Sequence, residues 1–208
     1  MIPLFVDLNT KRIVIFGGGV VAARKAAYFA HKADVRVVSR SFSKRVTALP
    51  VKRTEMDVAR ASDTDLEDLL QESFIGIAAL SDRKQNNRIG IICQRLGILF
   101  NNADGERGDL IIPSILCGKY YTIAVSTGGK SPAVSRFIRE HLGTKFSGMD
   151  KMIALQERLR QQLKSVEPSQ KKRRQILWEV LHDPGVWEAL SRSRKEAEGI
   201  VKRRYLHE

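Results

Sequence analysis

The chain is poor in the residues and runs that would place it in several large classes. It has two cysteines in 208 residues, Cys93 and Cys117, both in apolar surroundings. Two such thiols make neither a disulfide framework nor a metal-ligand spacing, which fits a reducing, cytoplasmic setting. No apolar stretch approaches the roughly 20 residues that span a bilayer, so no membrane segment is expected. The N-terminus, Met-Ile-Pro-Leu-Phe-Val-Asp, lacks the basic n-region of a signal peptide. The four histidines, His31, His141, His182 and His207, have no metal-ligand spacing and read as surface residues. No resident metal is expected. Internal repeats are absent.

Acidic residues are outnumbered. The net charge is +13, which favours anionic partners. Residues 145–208 carry 15 Lys and Arg against 9 Asp and Glu, and the rest of the excess is spread over the first 144 residues. A nucleic-acid module would concentrate that charge, so nucleic acid is not the expected partner. A polyacidic small molecule, or simply a solvated basic surface, fits the even spread.

What is present begins at Arg12. The apolar run Ile13-Val14-Ile15-Phe16 feeds directly into Gly17-Gly18-Gly19, and Val20-Val21-Ala22-Ala23 opens a helix. Strand, glycine turn and helix in that order place a pyrophosphate at a helix N-terminus. Gly17 permits the tight turn, Gly19 lets the backbone approach the phosphates, and Ala22 is the third small position. Further strand-like runs follow at Val35–Val38, Val51–Met56, Phe74–Ala79 and Ile98–Asn101, with helices over about 20–32 and 83–96 between them. Strands alternating with helices predict an α/β fold with a Rossmann-type parallel sheet.

The pattern changes after Asn101. Leu110–Leu116 and Tyr120–Val125 are separated only by Cys117-Gly118-Lys119 and read as a β-hairpin, a candidate dimer-forming or site-covering element. Ser131-Pro132 supplies an N-cap and a first-turn proline for a helix to about His141. From Ser147 the chain reads as helical, with Met152, Leu155, Leu159 and Leu163 in register. A polar break falls at Ser165–Gln170 and a turn at Asp183-Pro184-Gly185, and Trp178 and Trp187 are assigned to a small helical core. Three parts are expected: a dinucleotide-binding domain over 1–108, a hairpin and helix over 109–145, and a helical domain over 146–208.

Several constellations could carry chemistry. The second strand ends at Ser39-Arg40, where NAD sites often have an acidic residue. Arg40 could meet a 2′-phosphate, which would favour NADP, or be a surface arginine near the adenine. Ala79-Leu80-Ser81 follows the fourth strand, against the nicotinamide half of the cofactor. Asn101-Asn102-Ala103-Asp104 ends the fifth, where a carboxylate can take a proton while a hydride leaves. Asp104-Gly105 is also a turn dipeptide, and a capping aspartate is the alternative. Ala124–Ser131 nearly matches a P-loop but lacks its first glycine. NTPase activity is not expected. Ser126, Thr127, Gly128 and Gly129, followed by Lys130 and Ser131, can still hold an acidic group through backbone N–H groups.

Together the motifs resemble the precorrin-2 dehydrogenase family, which includes the N-terminal half of bifunctional siroheme synthase. The resemblance rests on Pro3-Leu4-Phe5, Gly17–Lys25, Ala78-Ala79 with Asn86-Asn87, Asn102-Ala103-Asp104, Ile112-Pro113-Ser114-Ile115 and Ala124–Pro132, in the family's order over about 140 residues. Arg173-Arg174 before Trp178 is similar to the family's helical tail. Leu80 and Ser81 stand where Thr-Asp is more usual. The resemblance implies NAD-dependent oxidation of precorrin-2 to sirohydrochlorin and, in some members, Fe2+ insertion giving siroheme. The substrate, a tetrapyrrole with eight carboxylates, suits a basic chain.

By that resemblance Asp104 is the catalytic residue. The cofactor is held by Gly17, Gly18, Gly19, Val20, Val21, Ser39, Arg40, Ser41, Phe42, Ala79, Leu80 and Ser81. The substrate is held by Asn102, Pro113, Ser114, Ser126, Thr127, Gly128, Gly129, Lys130 and Ser131. NAD is favoured despite Arg40, a homodimer is expected, and the methyltransferase half is expected to be absent. Two other classes are a dehydrogenase of the same fold acting on another acidic metabolite, and a non-catalytic NAD-sensing protein.

Overall fold

The computed structural model describes residues 2–206; His207 lies outside them. The chain forms two compact units, Met1–Ile112 and Pro113–Glu208.

The first unit is built on β1 (Arg12–Phe16). Period-two alternation sends Ile13 and Ile15 to one face of the sheet and Val14 and Phe16 to the other. Both faces are buried, so the strand reads as a continuous apolar run. On the first face α1 (Val20–Phe29) packs Ala22, Ala23, Ala26 and Phe29 against Val35, Val37, Ile75 and Ile77. On the other, α3 (Asp63–Leu70) and α4 (Arg83–Arg95) bring Leu66, Leu70, Ile89, Ile92 and Cys93 onto Val14, Phe16 and Phe100. The remaining strands are β2 (Asp34–Ser39), β3 (Lys52–Glu55), β4 (Ser73–Ala78) and β5 (Leu99–Asn102), and α2 (Lys44–Thr47) lies between β2 and β3. The sheet is wholly parallel, in the order β3-β2-β1-β4-β5. The chain direction across the sheet reverses between β1 and β4, which makes that crevice the topological switch point.

Caps explain where the helices begin. Ser62 and Asp65 form a reciprocal capping box at α3. Asp82 accepts from the Lys84 N–H at α4. At α1 the N-cap is Gly19, and among the described residues no side chain caps it.

The second unit starts with the hairpin β6 (Ser114–Cys117) and β7 (Thr122–Val125), antiparallel, with Ser114 opposite Val125. It is shorter than the apolar runs predict. Leu110 and Ile112 are not strand; they pack on the α1 side of the first unit's core. Pro113, with no N–H to donate, sits just before the ladder begins. Cys117 is exposed rather than set among apolar groups, because it lies at the strand's outer end. α5 (Pro132–Lys145) packs on the hairpin, capped by Ser131 with Pro132 in its first turn. It runs a turn beyond His141.

Among the described residues four helices follow: α6 (Met149–Val166), α7 (Gln170–His182), α8 (Pro184–Arg192) and α9 (Arg194–Tyr205). Met152, Leu155, Leu159 and Leu163 form the α6 stripe and meet Val180, Val186, Ala189, Leu190, Ala197 and Val201. The polar break is shorter than predicted, since Ser165 and Val166 still belong to α6. Asp183 alone separates α7 from α8. Its side chain accepts from the Gly185 N–H, Arg204 and Tyr205. Burial pushes the Asp183 carboxyl up, and these three donors together outweigh it and hold the group below the usual carboxylate range.

Trp187 packs against the helical core, its indole N–H donating to the Leu181 carbonyl. Trp178 does not. It is 64% exposed and lies against the His182 ring. The core-facing positions of α7 are taken by Ile176, Leu177, Val180 and Leu181, which leaves Trp178 on the opposite side. Among the described residues no helix is long and apolar enough to cross a membrane.

Candidate functional site

The glycine turn is held by its neighbours on both sides. Gly17 donates to the Val38 carbonyl of β2, and Ala79 donates back to the Phe16 carbonyl of β1. Gly17 has φ +125°, and a Cβ there would overlap the Ala79 carbonyl oxygen. A Cβ at Gly18 would overlap the Ser41 carbonyl and lie 2.9 Å from the Ser39 hydroxyl. Gly17 and Gly18 are therefore glycine because protein backbone passes against them. Gly19 differs. A Cβ there would meet nothing within 4 Å.

The space at Gly19 adjoins the uncapped first turn of α1, whose leading N–H groups need a partner. Val20 and Val21 stand exposed beside it. Ser43 donates its N–H to the Gly18 carbonyl, yet its hydroxyl is buried with no hydrogen-bond partner. Open space, free amides and an orphaned hydroxyl fit a phosphate-bearing cofactor laid across this turn. Ser43 was not found by motif, because it lies just past the matching stretch Ser39–Phe42. Of that stretch, Phe42 packs partly into the α1-side core, while Arg40 and Ser41 are exposed.

On the other side of the crevice the β4 and β5 loops are joined by one side chain. Asn86 is fully buried in the first turn of α4. It accepts from the Leu80 N–H, and it donates to the Leu80 carbonyl and to the Asp104 carbonyl, each at 3.0 Å. One amide therefore fixes the Ala79–Ser81 loop and the Asp104 backbone together. Asn87 adds a second tie, accepting from Asn102 and from the Glu106 N–H. The Asp104 side chain is 58% exposed, with Arg83 bonded to Oδ1 through both Nε and a terminal nitrogen at 3.0 Å. Among the described residues Oδ2 accepts no hydrogen bond. Asp104 is thus held chiefly by its main chain and by Arg83, with one oxygen left for chemistry.

Lys25 of α1 reaches across the sheet to Asn101 Oδ1 at 2.6 Å, and Asn101 donates to the Leu110 carbonyl. Burial, then the nearby Arg24, pushes the Lys25 ammonium down to about 8. Arg83 carries no motif, and Lys25, though it closes the matching stretch Gly17–Lys25, has no local signal for its partner, because Asp104 and Asn101 lie far from them along the chain.

The remaining predicted substrate residues, apart from Asn102, lie in the second unit. Ser114 is in β6, and Ser126–Ser131 form a closed loop before α5. Thr127 Oγ1 accepts from the Ser131 N–H, Ser126 Oγ accepts from Gly128, and Ser131 Oγ caps Val134. Gly128 and Gly129 have positive φ and face open space. The loop satisfies several of its own N–H groups, so its offer to an acidic ligand is narrower than the sequence suggests. Among the described residues no three His, Cys, Asp or Glu side chains gather to hold a metal.

A family profile for NAD(P)-binding domains matches residues 4–114, and one for the central part of sirohaem biosynthesis proteins matches residues 122–144. A precorrin-2 dehydrogenase of Methanosarcina barkeri is 38% identical over 94% of this chain and 89% of its own length. This chain belongs to the precorrin-2 dehydrogenase family. A siroheme synthase of Nitrosococcus oceani is 27% identical over 97% of this chain. The family member described here spans only 43% of that longer protein. A solved structure titled SirC, precorrin-2 dehydrogenase, covers 98% of this chain with a TM-score of 0.75 at 20% identity, which shows the same fold.

The joint at Asn86 gives a direct test. Asn86→Ala removes a buried amide and leaves the half-buried Leu80 N–H and two carbonyls without it, at a cost of about 1–3 kcal/mol in all. A loss of at least that size is expected in urea unfolding; an unchanged midpoint would mean that the two loops are held independently.

Proposed function

We propose that this chain is an NAD-dependent dehydrogenase that oxidises precorrin-2 to sirohydrochlorin, and that it works in the cytoplasm. Family membership supports the reaction class. The observation that carries the reading is the joint at Asn86, which fixes the Asp104 main chain to the loop that follows β4, at the carboxyl edge of the sheet. Bound NAD would supply the hydride acceptor. The chain's own residues do the rest. The α1 N-terminus and Gly17–Val21 hold the pyrophosphate. Ser39–Phe42 and Ser43 line its adenosine side, and Ala79–Ser81 leave room for the nicotinamide half.

Oxidation of the macrocycle also releases protons, and Asp104 Oδ2 accepts one. Arg83 holds the other oxygen and so fixes the carboxylate's direction. The residues assigned to the substrate's carboxylates are Asn102 in the first unit and, in the second, Pro113, Ser114 and the loop Ser126–Ser131 with Lys130. The excess of positive charge raises the local concentration of such a polyanion. Fe2+ insertion, if the chain performs it, draws on the macrocycle's own nitrogens, with Asp104 taking their protons.

Asp104→Ala should keep fold and NAD affinity and lose about 10²–10⁴-fold in dehydrogenase rate. The assay follows NADH formation from precorrin-2, with Fe2+ insertion into sirohydrochlorin measured separately. Normal dehydrogenase turnover in Asp104→Ala would remove the carboxylate from the mechanism.

A homodimer belongs to the same proposal. Val134, Phe137 and Ile138 of α5 are exposed beside the hairpin, a small apolar face suited to a second copy. Light scattering at micromolar concentration should give twice the chain mass; a monomer would contradict it.

A further inference from the structure

The adenosine end of the cofactor site lacks the acidic residue that usually follows β2. Ser39 and Arg40 stand there, and the Ser39 hydroxyl lies close to Gly18 rather than outward. An unopposed arginine at this place would welcome a 2′-phosphate. Arg40 is not unopposed. Its guanidinium lies 3.8 Å from Asp57 Oδ2, across the ends of two neighbouring strands.

Asp57 follows β3, and the backbone brings it there. Ser39 and Glu55 are register partners, and the Met56 N–H donates to the Ser39 carbonyl. The Ala59 N–H then binds Asp57 Oδ1 and fixes the carboxylate. Arg60 lies 3.6 Å from the same Oδ2 that Arg40 approaches. The two partners differ in freedom. The Asp57 side chain is 26% exposed and locally held, whereas Arg40 is 76% exposed with no other bonded partner among the described residues. Asp57 is thus the locally held member of the pair and Arg40 the more exposed one.

We propose that Asp57 is a specificity-determining residue of the cofactor site, setting a preference for NAD over NADP. It rests on the cofactor reading above. Asp57 acts by opposing Arg40, the residue at the end of β2 that would attract a 2′-phosphate, with Arg60 on the same carboxylate oxygen. With Arg40 held to a carboxylate, the 2′-phosphate of NADP must compete for it, while NAD, which has only hydroxyls there, is unaffected. The acid that β2 lacks is supplied from β3.

The test is binding alone, without substrate. NAD and NADP are titrated calorimetrically into wild type, Asp57→Asn, Asp57→Asn with Arg40→Ala, and Glu55→Gln. Asn keeps an acceptor for the Ala59 N–H, and Asp57→Ser serves if the Asn variant folds poorly. Asp57→Asn should raise NADP affinity relative to NAD by about tenfold or more. Adding Arg40→Ala should return the ratio toward wild type, and Glu55→Gln should leave it unchanged. The same order is expected for 2′,5′-ADP against AMP, which isolates the 2′-phosphate. An unchanged ratio in Asp57→Asn, with NAD still bound, would overturn the role of Asp57 and leave the dehydrogenase reading intact. Failure of wild type to bind NAD would overturn both.

Discussion

The close passage of backbone at the end of β1 governs the whole candidate site. Gly17 and Gly18 leave no room for a side chain because the Ala79 and Ser41 carbonyls pass against them. That contact is possible only with β1 central, between β2 and β4. Hydrogen bonds then extend the sheet past its formal ends. They run from Gly17 to Val38, from Ala79 to Phe16, from Ala103 to Ala78 and from Met56 to Ser39. The first unit's loops after β1, β3, β4 and β5 therefore leave the sheet with their direction already set. Of the three glycines in this turn, Gly19 is the one that protein does not crowd and that faces open space.

Electrostatics adds direction more than stability. The Arg83–Asp104 and Arg40–Asp57 pairs are solvent-exposed, and such pairs contribute about 0–1 kcal/mol. What holds Asp104 in place is the buried amide of Asn86, where leaving a partner unsatisfied is costly. The ion pairs decide which way a side chain points and what charge a ligand meets. Lys25 is a cation of another kind. It is half-buried, depressed to about 8, and bonded to Asn101 rather than to a carboxylate.

Local signals made much of this legible. A four-residue apolar run into three glycines specifies strand, turn and helix by periodicity and φ alone, and β1 and α1 follow it. The α6 stripe was readable for the same reason: Met152, Leu155, Leu159 and Leu163 recur at helical spacing and are all buried. Features that depend on distant partners were not readable. Leu110 and Ile112 look like strand, but their apolar side chains serve the first unit's core instead of a ladder. Trp178 looks like core by type, and the helix turns it outward. Asp57, Arg83 and Ser43 carry no motif. Their places follow from strand order and from loops packed on the glycine turn, which no single stretch of sequence contains.

The central claim is that the open place at Gly19, before the uncapped α1, receives a cofactor pyrophosphate. Calorimetric titration of NAD into wild type and Gly19→Asp tests it most directly. Gly19 has an ordinary φ of −84° and open surroundings, so the variant should fold. Its side chain and charge would occupy the pyrophosphate position, and NAD binding should be lost. A folded Gly19→Asp protein that binds NAD as tightly as wild type would contradict the account.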